Sequence, residues 1–160
     1  MPDAPQLPEL ARSLRSLGVH RGATAEVAHA AIFQPLLEAR AHAVGAQMDS
    51  VLAALRGDSL SARIEAQAVD AAVQGVEHPA IARALTAQTS ELIEPLRAEL
   101  LALDAAASVA RDGADGWNAW IAQLRRVFGA ADVACQALSR LLANRETRSD
   151  APRWFARSPR

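Results

Sequence analysis

The chain has 160 residues, 38 of them alanine, and all 17 of its basic residues are arginine. That length argues for one domain. The lack of lysine removes P-loop, Schiff-base and kinase-type chemistry, the lack of any Gly-x-Gly removes the dinucleotide fingerprint, and the single cysteine, Cys135, removes an intrachain disulfide and a cysteine-rich zinc site. The net charge of −1 divides unevenly: residues 1–139 carry −5, and residues 140–160, with six arginines, carry +4. The body therefore repels a phosphate backbone, and only the C-terminal segment attracts one.

Hydrophobic periodicity gives the elements in chain order. Leu7, Leu10, Leu14 and Leu17 predict a short first helix, ended by Gly18 and a turn through Gly22. Thr24 is the expected N-cap of a second helix, whose seam reads Val27, Ala30, Gln34, Leu37, Ala41, Val44, Met48, Val51 and Leu55, with Gly57 as its stop. Asp58 or Ser59 is the expected cap of a third helix with Leu60, Ile64, Val69, Val73 and Val76 on its apolar face. Gly75 and His78-Pro79 end it, because a residue before proline avoids helical angles. Pro79 then suits the first turn of a fourth helix along Ile81, Leu85, Leu92, Leu96, Leu100 and Leu103. After Asp112-Gly113, Asp115 is the expected cap of a fifth helix along Trp117, Trp120, Leu124, Phe128, Ala131, Cys135, Leu138 and Leu142.

No stretch alternates like a strand, so the expected class is all-α: an antiparallel four-helix bundle with an extra short N-terminal helix and an extended C-terminal tail. The expected boundaries are a bundle over 1–144 and a basic, aromatic-containing tail over 145–160. Pro35 and Pro95 interrupt two of the helical patterns in similar frames, Phe33-Gln34-Pro35-Leu36 and Ile93-Glu94-Pro95-Leu96. A worn duplication of a helical hairpin and chance in an Ala- and Leu-rich chain explain this equally well. The longest stretch without Asp, Glu, Lys or Arg, Val27 to Leu37, has 11 residues, far below the ~20 that span a membrane. The N-terminus shows no apolar secretory core, so the expected compartment is the cytoplasm.

Candidate chemistry is sparse. Glu26 and His29 have the Glu-x-x-His spacing of di-iron carboxylate bundles, but a second such pair is missing, and a solvated Glu beside a surface or partly buried His is the favoured reading. His42 is followed by small residues, as in phosphotransfer bundles, but the lysine that would hold a phosphoryl group is absent, so it reads as a surface histidine. His20 and His78 read as loop or cap residues. Cys135 reads as a small buried hydrophobe. Gln34 either fixes the register of an assembly or bonds a carbonyl freed by Pro35. No cofactor or metal site is expected.

The partner-binding candidates are Trp117, Trp120, Arg153, Trp154, Phe155 and Arg157. Trp117 and Trp120 share a helix face as core anchors or interface hot spots, with at least one expected in the core. Trp154 and Phe155 stand in a polar, proline-bounded segment, where two large aromatics serve to dock on protein, in cis or in trans. The expected function is a non-enzymatic interaction, scaffold or accessory subunit, with a protein partner or a second copy as its target. Alanine seams favour this, since small side chains bury little area and stabilise weakly. The weaker alternatives are a nucleoprotein subunit using the Arg-rich tail and Arg125-Arg126 on nucleic acid, and a metal-binding or histidine-phosphotransfer bundle.

Overall fold

A computed structural model describes residues 23–44, 49, 52–53 and 55–149 of the chain. The predicted helix over Leu7 to Leu17 and the segment 150–160 lie outside these residues. Among the described residues the fold is all-α, with helices α1 (Ala23–Val44), α2 (Gly57–Val73), α3 (Pro79–Ala107) and α4 (Ala114–Ser149) and no strand. Residues 49 and 52–53 are helical as well. Each helix packs against its neighbours in the chain, and α1 also packs against α4.

In α1 the first turns of the predicted seam lie off the core, whereas Leu37 packs against it; farther along, Leu55 is buried as predicted, and Met48 and Val51 lie outside the described residues. Val27 is 38% exposed, and Ala30 and Gln34 are exposed too, whereas Ala28, Ala31, Ile32, Phe33, Leu36 and Ala39 are buried. The cause is the uncharged stretch from Val27 to Leu37. Apolar residues occur nearly all round this helix, so a three-four spacing fits two registers one residue apart. Ile32, Phe33 and Leu36 decide between them, because burial scales with apolar area and alanine contributes little. Gln34 is exposed, and its amide donates to the Glu38 carboxylate at 2.9 Å rather than to a carbonyl freed by Pro35. Thr24 lies inside the helix, which starts at Ala23, and not at its cap. Pro35 is buried within α1, and its own carbonyl accepts from the Arg63 guanidinium of α2 at 3.1 Å.

At the start of α2, Gly57 is the first helical residue and not the stop of the preceding one. A Cβ there would stand 1.8 Å from the Leu100 carbonyl oxygen, so only glycine lets the two backbones approach this closely. Neither Asp58 nor Ser59 is the cap. The capping position is Arg56, whose side chain makes no cap bond. The cap comes instead from α3: the Asp104 carboxylate accepts from the Gly57 N–H at 2.6 Å and the Asp58 N–H at 3.1 Å. A carboxylate at this end also meets the positive end of the helix dipole. Leu60 and Ile64 are buried as predicted, but Ala68 and Ala72 then take the core positions and leave Val69, Val73 and Val76 half-buried. Gly75, at φ +75°, reverses the chain.

Helix α3 begins as predicted, with Pro79 in its first turn and His78 as a cap whose Nδ1 accepts from the Ala80 N–H at 3.2 Å. Its buried face is Leu85, Thr89, Ile93, Leu96, Leu100 and Leu103. Ile81, at 53% exposure, and the half-buried Leu92 fall off it. Thr89 replaces an apolar residue without leaving an orphan, since its hydroxyl donates to the Leu85 carbonyl at 2.7 Å. Pro95 is exposed where Pro35 is buried. On the solvent side, the carbonyl that a proline deprives of its partner can bond water, and the helix continues.

Gly113, at φ +116°, makes the predicted break before α4, and Asp115 lies in the first turn rather than at the cap. Trp120, Leu124, Val127, Phe128, Ala131, Ala134, Leu138 and Leu142 form its buried face, and Cys135 is half-buried rather than buried. The helix runs to Ser149, past the predicted boundary at 144. Arg145 thus belongs to the helix and not to a tail. Its guanidinium donates to the Ala72 carbonyl at 2.6 Å and the Gln74 carbonyl at 2.9 Å, closing the C-terminal end of α2. A cation at this end suits the dipole as the carboxylate does at the other.

Candidate functional site

Of the six partner-binding candidates, Arg153, Trp154, Phe155 and Arg157 lie outside the described residues. The structure places the other two together. The Trp117 and Trp120 rings stack with centroids 5.1 Å apart at an interplanar angle of 28°. Trp120 is 2% exposed and belongs to the core, so it has no surface to offer a partner; Trp117 packs half-buried against that core. The i,i+3 spacing that put both on one helix face also put one beneath the other.

Glu26 is exposed, while His29 is half-buried, its ring 5.5 Å from that of Phe33 one turn on. His42 is exposed. Among the described residues, no three His, Cys, Asp or Glu side chains stand close enough to hold a metal ion. No described helix is long and apolar enough to cross a membrane.

Polar side chains instead converge at the α2–α3 seam and at its margins. Glu65 of α2 accepts from Ser90 at 2.8 Å and pairs with Arg97, both on α3, and Arg97 also reaches Glu94 at 2.5 Å. Gln123 of α4 donates to the Glu99 carbonyl at 3.0 Å and to its carboxylate at 2.5 Å. Arg111, before α4, pairs with Asp49 at 2.7 Å.

The α1–α4 side holds a group that sequence reasoning missed. Arg40 of α1 is half-buried, with its guanidinium carbon 5.7 Å from the centroid of the Phe128 ring on α4. Burial, and then the like charge of Arg125, hold its pKa below the ordinary arginine value. No carboxylate among the described residues forms an ion pair with Arg40 or Arg125. Arg125 and Arg126 are both exposed on α4. The one sequence sign of Arg40 is its place between Ala39 and Ala41. Its meeting with Phe128 and Arg125 joins segments more than 80 positions apart, which no local pattern records.

No protein-family model, no curated protein and no solved structure matches the chain.

Proposed function

We propose that the chain is a non-enzymatic interaction or accessory subunit, built as an antiparallel four-helix bundle and assembling through its outer helical surface and its C-terminal segment. The bundle reading rests on the cross-helix pairs. Gly57 meets Asp104 while Glu65 meets Arg97, so α2 and α3 run in opposite directions. Consecutive helices joined by short connections favour that arrangement throughout.

The observation that carries the functional reading is where the large apolar side chains lie. The inner faces are filled by the chain's own core, yet Val133 is 64% exposed on α4 and Leu101 is 53% exposed on α3. In the sequence, Trp154 and Phe155 stand five and six positions after Ser149, among arginines. Aromatics and arginine are the residues that dominate protein interfaces. A protein partner or a second copy, met in the cytoplasm, is the target this favours.

Sedimentation of the 17.0 kDa chain across a concentration range, and the size of the native complex in cell extract, test the reading. Assembly above the monomer mass in either experiment, lost when Trp154 and Phe155 become Ala, is the expected result. A monomer in both, with no change in the double variant, rejects it.

A further inference from the structure

Arginine stems often lie along apolar surface with the charged head in water, and such a residue needs no further purpose. Arg40 differs in two respects. It is half-buried with its guanidinium over Phe128, and Arg125, one turn before Phe128 on the same helix, adds a like charge that is felt there. Two like charges, one of them partly shielded from water, stand without a carboxylate ion-pair partner among the described residues. The other half-buried arginines among the described residues are matched, Arg97 with Glu65 and Glu94 and Arg145 with two carbonyls, while Arg83, Arg126 and Arg140, which also lack an ion pair, are exposed to water.

The geometry points to an anion site between α1 and α4, in which Arg40 and Arg125 together hold a phosphate dianion while Phe128 backs the Arg40 guanidinium. A dianion neutralises both groups, whereas a single carboxylate leaves one positive charge in place. Planar guanidinium forks suit phosphate oxygens, and two of them from different helices fix the group in a defined place. Arg125 is exposed and Arg40 half-exposed, so the ligand reaches the site from solvent. A long polyanion is disfavoured by the −5 charge of residues 1–139. The chemistry is that of a phosphate monoester, carried by a small molecule or by a phosphorylated side chain.

Calorimetric titration of the full chain at pH 7.5 and fixed ionic strength tests this, with inorganic phosphate and a phosphoserine peptide as probes. Saturable binding is expected. Arg40→Gln and Arg125→Gln each weaken it about tenfold, the usual loss for a charged hydrogen bond. Arg126→Gln, one position on and so on another side of the helix, changes it less than about twofold. Tighter binding of the phosphopeptide than of phosphate assigns the group to a phosphorylated protein, and equal binding assigns it to small molecules. Three results overturn the site: no saturable binding, an Arg126→Gln loss equal to that of Arg125→Gln, or the same response to chloride. Arg125 is exposed, so its variant tests the site even if Arg40→Gln fails to fold.

Discussion

The seam between α2 and α3 and the seam between α1 and α4 treat charge in opposite ways. Along the first, charged groups have partners: Glu65 holds Ser90 and Arg97, and Asp104 closes the N-terminal end of α2. Along the second, Arg40 lies over an aromatic ring beside another arginine. A charge with a partner helps to specify which helices meet. A half-buried charge without one contributes little to folding, because desolvation and like-charge repulsion both work against it. The difference separates groups that hold this molecule together from a group available to something else.

The comparison can be broken from the α2 side first. Gly57→Ala forces a methyl group into the Leu100 carbonyl, so α2 and α3 must separate. Overpacking of this kind costs about 3 kcal/mol, read from urea denaturation. Asp104→Ala leaves two N–H groups at the start of α2 without their carboxylate; the expected loss is about 2 kcal/mol, with Asp104→Asn retaining part of the cap. Arg145→Gln uncouples α4 from the last carbonyls of α2, at about 1 kcal/mol. Arg97→Met, at a partly exposed ion pair, costs less than about 1 kcal/mol and loses even that effect in high salt. Arg40→Gln ends the series, with no loss of stability or a small gain. Equal losses across all five variants would remove the distinction between the two seams.

The helical class was legible because periodicity and punctuation agree. Pro79 and His78 open α3 as their chemistry requires, and Gly113 breaks the chain before α4. The faces were less legible. In α1 the apolar residues fit two registers, and side-chain size rather than spacing selects the one that contains Ile32, Phe33 and Leu36. The caps of α2 were not legible at all. Asp58 and Ser59 are conventional capping residues, but the groups that close its two ends stand 47 and 73 positions from the atoms they bond. Gly57 reads as a helix stop until Leu100 is seen against it. Trp117 and Trp120 were legible as a pair, yet which of them faces the core depends on how α4 sits against its neighbours. Arg40 became a candidate only once α1 and α4 were brought together.

Urea denaturation of Arg40→Gln and Arg145→Gln beside the unaltered chain, in phosphate-free buffer, tests most directly the difference between an arginine without a bonded partner among the described residues and one with two. Arg145→Gln should unfold at lower urea, by about 1 kcal/mol, while Arg40→Gln unfolds at the same concentration or a higher one. A loss in Arg40→Gln as large as that in Arg145→Gln would make Arg40 one more structural contact and contradict the account.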